Sequence, residues 1–308
     1  FSTRQSMIAP SDLYAIQTHK VGKSKEMNSV IQLTNANKEI MDGLLKPTVK
    51  ETWVETSDGK KMLSWMILPP NFDSTKTYPT LLYCQGGPQS PVSQFFSYRW
   101  NFMLMASQGY IVVAPNRRGL PGFGQEWNDA ISKDWGGQAM RDYLSAIDAA
   151  TKNSFVDKNR LGAIGASYGG YSVYYLAGIH EKRFKTFIAN CGLFNLESWY
   201  GTTEELFFAN WDIGGPYWDE KNKELYEKNS PHKLVQNWDT PIMVIHGGMD
   251  FRVPESEGMQ AFQAAQLKGL KSKYLYFPTE GHWVLKPQNG LVWHREFFKW
   301  LDEDLKSK

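Results

Sequence analysis

The chain has 308 residues, of which 42% are hydrophobic and 21% charged, enough for one large domain with a substantial core. A formal net charge of +2 gives no electrostatic case for nucleic acid or an anionic membrane surface. No apolar run reaches the roughly 18 residues of a membrane-spanning helix, and the absence of H-E-x-x-H, a P-loop or paired C-x-x-C predicts no metal, nucleotide or other cofactor.

The opening "FSTRQSMIAPSDLYAIQ" lacks a basic head followed by an apolar stretch, so no signal peptide is visible. Within residues 1–45, "SDLYAIQTHK" and "NSVIQLT" alternate apolar and polar positions around a Lys/Ser-rich stretch. That pattern predicts a small antiparallel β-unit. A different rhythm starts near Val49, where "VKETWVETSDGKKMLSWMILPP" reads as two strands about an Asp58-Gly59 turn. Buried-type strands then follow at residues 78–84, 110–115, 160–166, 184–191, 241–247 and 273–278. Helical patterns lie near 98–108, 136–152, 168–180, 255–268 and 288–305. Short apolar strands alternating with helices predict a mostly parallel central sheet covered by helices on both faces. Chemistry in such sheets is expected at the carboxyl ends of the strands.

One serine sits at such an end. In "IGASYGGYS", Ser167 follows the strand "RLGAIGA" and precedes the helical pattern "YGGYSVYYLAGI". Strand, tight turn and helix are the context of a nucleophile elbow, in which Gly165 and Gly169 leave room for the bend. A serine hydroxyl needs a base, and a base needs a carboxylate to orient it. Of the six histidines, His282 in "FPTEGHWVL" falls just after the last strand, before the final helix. His246, followed by two glycines, reads as turn-shaping, and His294 as packing. "MVIHGGMDFRVP" supplies Asp250 after the preceding strand. The order Ser167, Asp250, His282 is the one expected of nucleophile, acid and base on a single sheet edge. Two backbone N–H groups should form an oxyanion hole: that of Tyr168, directly after the serine, and that of Gly87 in "QGGPQSP". The two cysteines, Cys84 and Cys191, read as small buried apolar residues.

Together "QGGPQSP", "APNRRGLPGFGQEW", "DWGGQAMRDYLSAID", "GASYGGYS", "NSPHKL", "TPIMVIHGGMDFRVP" and "GHW" resemble the catalytic domain of the prolyl oligopeptidase family of serine peptidases. The resemblance covers residues 46–308 and is greatest to the acylaminoacyl-peptidase and dipeptidyl-peptidase V branch, with bacterial members. It implies an α/β-hydrolase fold, the triad Ser167, Asp250 and His282, and oxyanion donors Gly87 and Tyr168. Gln85 stands where the dipeptidyl-peptidase IV branch carries an oxyanion-binding tyrosine, so the backbone route is expected instead. By position, Tyr168, Leu193, Trp199 and Val253 match the family's pocket for the residue before the scissile bond, and favour a hydrophobic side chain there. Residues 1–45 look like the last strands of the family's N-terminal β-propeller, plus a linker. The implied activity is hydrolysis of short peptides, of dipeptidyl or acylaminoacyl type, and the alternative is a carboxylesterase with the same triad. The resemblance further suggests the periplasm as compartment and leaves a homodimer open as the assembly.

Overall fold

The computed structural model describes residues 1–21 and 24–307; Gly22 and Lys23, inside the Lys/Ser-rich stretch noted above, lie outside the described residues. The amino-terminal segment forms a three-stranded antiparallel sheet of β1 (Ser2–Ser6), β2 (Ala9–Val21) and β3 (Ser24–Gln32), paired in that order. It is anchored where Met7, between β1 and β2, is buried among residues of the main core and donates its N–H to Gln94 Oε1. A short helix, α1 (Lys38–Asp42), leads out of this sheet.

The second sheet has eight strands: β4 (Thr48–Glu55), β5 (Lys61–Leu68), β6 (Tyr78–Cys84), β7 (Ile111–Pro115), β8 (Val156–Ala166), β9 (Thr186–Asn190), β10 (Ile242–Gly247) and β11 (Ser272–Phe277). They lie in the order β11-β10-β9-β8-β6-β7-β5-β4. All pairings from β11 to β7 are parallel, whereas the β7–β5 and β5–β4 pairings are antiparallel, so β5 alone runs against the other strands. The central strands are apolar on both faces because helices cover both. Successive residues point to opposite sides: Leu82, Val113, Phe187 and Val244 enter one core, while Leu81, Val112, Ile188 and Ile245 enter the other.

The helices that follow are α2 (Phe102–Ser107), α3 (Gln125–Asp129), α4 (Gln138–Ala150), α5 (Tyr168–Ala177), α6 (Leu196–Thr202), α7 (Leu206–Asp212), α8 (Glu220–Asn229), α9 (Glu255–Leu267) and α10 (Pro287–Leu305). Those of α4, α5 and α9 fill the first core, with Tyr143, Tyr171 and Ala261 at its centre. Those of α2 and α10 fill the second, through Phe102, Trp293 and Phe297. The five long helical patterns of the sequence all correspond to helices, whereas α6, α7 and α8 have no counterpart among them. This is an α/β-hydrolase architecture, preceded by a separate small β-sheet.

Candidate active site

Three strand ends converge on one cavity of about 420 Å³, into which Ser167, His282 and the turn after β6 all project. Ser167 links β8 to α5 with φ of 59°, a left-handed conformation that a non-glycine residue holds only under constraint. The constraint is visible in its backbone. Its N–H donates to Asn190 O at 3.0 Å, and its carbonyl accepts from Tyr171 N at 2.9 Å to start α5. The glycines around it are required by close approach. A Cβ on Gly169 would stand 2.1 Å from Cys84 O, and one on Gly165 would stand 2.4 Å from Gly169 O.

His282 lies in the loop after β11, with Nδ1 2.7 Å from Asp250 Oδ2. Asp250, after β10, is itself fixed because Oδ1 accepts the N–H groups of Arg252 (3.1 Å) and Val253 (2.9 Å). His246 supports that turn from below, donating from Nε2 to Val253 O at 2.7 Å. The His282 loop is held by Glu280, whose carboxylate accepts the N–H groups of Leu285 (3.0 Å) and Lys286 (3.1 Å). With Nδ1 committed to Asp250, the remaining ring nitrogen of His282 is Nε2, the one a base at this position must use. Burial pulls the imidazole pKa down, but Cys191 and the Asp250 carboxylate push it up, and the balance lies above its ordinary value.

Cys84 is buried as the sequence predicts. Cys191 is buried too, but it also lines the cavity, with Sγ 4.0 Å from His282 Nε2. Sequence reasoning missed this neighbour, since only the tertiary fold brings the end of β9 beside the loop after β11. Cys191, Asp250 and His282 place one metal-type donor atom each within 4.8 Å of one another, the one such group among the described residues. Its Asp250–His282 contact is already a hydrogen bond.

The turn after β6 carries Gly87 at φ of 116°, where a side chain would collide with Gln89 N at 2.6 Å. No protein acceptor among the described residues takes the N–H of Gly87 or of Tyr168, so both remain available to a ligand. Arg117, fully buried, holds this turn by donating to Gln85 O (3.2 Å) and Pro88 O (3.1 Å). Gln89 ties the same turn to α7, donating to Asp212 Oδ1 at 2.9 Å. The Gln85 side chain accepts from Tyr83 OH at 2.8 Å and donates to Ser90 Oγ at 3.1 Å.

The four residues assigned to the specificity pocket need a different placement. Tyr168, Leu193, Trp199 and Val253 are all buried, and none lines the cavity. The Tyr168 ring lies under the Arg117 guanidinium at 4.5 Å, and its hydroxyl donates to Trp135 O at 2.7 Å. The aromatic ring that does reach the cavity on this side is Phe208, on α7, packed against Trp135 and Trp199. Beside it stand Arg252 and Glu205, paired with Nε 2.7 Å from Oε1. The reason for the difference is α7 itself, a short helix laid over the aromatic layer that the sequence patterns did not reveal.

Comparison with known proteins bears on what this cavity is. The sequence pattern of the prolyl oligopeptidase family matches residues 96–308. The dipeptidyl-peptidase 5 of Porphyromonas gingivalis is 56% identical over 306 residues, covering 99% of this chain and 44% of that protein. Its namesake from Porphyromonas endodontalis is 52% identical over 308 residues, with the same two coverages. Among solved structures, the acylaminoacyl peptidase of Pyrococcus horikoshii superposes with a TM-score of 0.88 at 23% identity, covering 99% of this chain and 48% of that one. Porphyromonas gingivalis dipeptidyl peptidase 4 gives 0.83 at 20% identity, with coverages of 98% and 41%. These last two establish the shared fold alone. The chain spans less than half the length of the curated relatives it matches. With the family pattern over two thirds of its length, and relatives above half identity along almost all of it, the chain belongs to the prolyl oligopeptidase family.

Proposed function

We propose that the cavity is the active site of a serine peptidase that releases dipeptides from short peptides through an acyl-enzyme on Ser167. The observation that carries this reading is the Asp250–His282 hydrogen bond at 2.7 Å, opening on the same cavity as a serine held at φ of 59°. Asp250 fixes the His282 tautomer, so Nε2 takes the Ser167 proton as Oγ attacks the scissile carbonyl. The N–H groups of Gly87 and Tyr168 receive the oxyanion, a role in which losing one donor costs on the order of 100- to 1000-fold in rate. His282 then protonates the leaving amine, and water releases the dipeptide from Ser167.

Phe208, backed by Trp135, Trp199 and Tyr168, supports a preference for a hydrophobic residue before the scissile bond. The dipeptidyl rather than acylaminoacyl assignment leans on the names of the Porphyromonas relatives. The three-stranded sheet of residues 1–45 is proposed to be the end of a β-propeller, with 46–308 as the catalytic domain. The periplasm is the proposed compartment and a homodimer the proposed assembly, to be read by fractionation and sedimentation of the full-length protein. Among the described residues no helix is long and apolar enough to cross a membrane.

The test is cleavage of a peptide library by the full-length protein, with free and with acetylated amino termini, alongside simple esters. Release of dipeptides from free amino termini is expected. Cleavage confined to acetylated peptides would reassign the type, and turnover confined to esters would make the protein a carboxylesterase.

A further inference from the structure

The cavity holds two arginines that differ in one respect. Arg252 is ion-paired, its Nε 2.7 Å from Glu205 Oε1, although that nitrogen makes no well-aligned hydrogen bond. Arg99 is not: its Nε and Nη1 are buried with no hydrogen-bond partner, and it enters no ion pair among the described residues. Guanidinium donors buried without acceptors are costly unless something supplies them.

Its location says when those acceptors would arrive. Phe208 and the aromatic layer behind it belong to the core on one face of the sheet. Arg99 stands over the opposite core, next to Trp100, which packs on Tyr83 and Trp293. Ser167 and His282 lie between the two. If the acyl part of a peptide places its apolar side chain toward Phe208, the leaving part must run the other way, past His282, toward Arg99. There the cavity adjoins a second depression, and Arg99 and Trp283 form the wall common to both. We propose, building on the peptidase reading above, that Arg99 binds a carboxylate of the leaving peptide and so favours short substrates that end close to the scissile bond. Its guanidinium fork matches a carboxylate in geometry and charge. Burial pulls its pKa below the ordinary guanidinium value, which an anionic partner would reverse.

The carboxylate can be the peptide's own terminus or an acidic side chain, and one experiment separates them. The full-length protein and its Arg99→Met and Arg99→Lys variants are assayed for kcat/KM on four substrates. These are one tetrapeptide of apolar residues as free acid, its carboxamide, the carboxamide with glutamate just after the scissile bond, and the corresponding dipeptidyl aminomethylcoumarin. The wild type should prefer free acid to carboxamide by about tenfold, the scale of one charge-assisted hydrogen-bonded pair. Arg99→Met should lose about tenfold more on the free acid than on the coumarin substrate, and Arg99→Lys should keep part of the preference. A preference shown by the glutamate peptide alone would assign the side chain as the ligand. An acid-to-amide ratio near one in the wild type, or equal losses on all four substrates in Arg99→Met, would overturn the assignment while leaving the peptidase intact. Failure of the wild type to cleave any of the four would overturn the peptidase reading and this assignment with it.

Discussion

Cys191 Sγ stands 4.0 Å from His282 Nε2, at the nitrogen that would accept the serine proton. Together with Asp250, it favours the protonated imidazole over the burial that opposes it. Because the base must be neutral, activity requires a pH above the His282 pKa, and that pKa is raised. The rising limb of kcat/KM against pH is therefore expected above the ordinary histidine range near 6.5. Cys191→Ser should move the limb to lower pH and raise activity in mildly acidic buffer. A limb unmoved by the substitution would remove Cys191 from the account.

Arg117 is predicted to matter for rate without touching substrate. Its guanidinium fork spans Gln85 O and Pro88 O and so sets where the Gly87 N–H points. Lysine cannot reproduce that fork. Arg117→Lys should lower kcat on the order of 10- to 100-fold, less than deleting an oxyanion donor outright, with a smaller change in KM. A loss expressed in KM alone would argue that the turn after β6 serves binding only.

Glu257 offers a test on stability instead of rate. This carboxyl, on α9, is buried and accepts the N–H groups of Phe194 (2.8 Å) and Asn195 (2.7 Å), fixing the loop that leads to α6. Burial outweighs those hydrogen bonds and raises its pKa from the ordinary 4.5 to about 7. Between those two values the folded chain holds a proton that the unfolded chain has released. Stability therefore falls as pH rises from 4.5 toward 7, by on the order of 3 kcal/mol from this group. Glu257→Gln keeps the acceptor and removes the titration. Urea unfolding at several pH values should show the wild type losing ground to the variant across this range. Parallel curves would contradict the assignment.

Much of this site could be read from the sequence because strand ends announce themselves. The apolar runs that become β8, β10 and β11 stop at Gly-rich or polar turns. Ser167, Asp250 and His282 each fall just past one of those stops. Local pattern suffices there because buried strands have a short, strongly apolar signature. It failed for α6 to α8, where Phe207, Trp211 and Trp218 face outward while Phe208 and Tyr226 face in, so apolar residues mark no single face. Tyr168 shows a related limit: it follows Ser167 directly in the chain, but its ring is packed into the core against Arg117 and Trp135. Arg99, Arg117 and Cys191 were illegible for a plainer reason. Each acquires its neighbours from strands or loops far away in the chain, which no local window contains.

The central claim is that Ser167 is a nucleophile activated by His282. A biotinylated peptidyl phosphonate diester, with a hydrophobic residue at the phosphorus, reacts only with a serine made nucleophilic by its base. Applied to the full-length protein, it should label the wild type at Ser167, as read by mass spectrometry of the tryptic peptide. Ser167→Ala should remain folded by circular dichroism and take up no label. Labelling that persists in Ser167→Ala, or a folded wild type that resists the probe, would contradict the account.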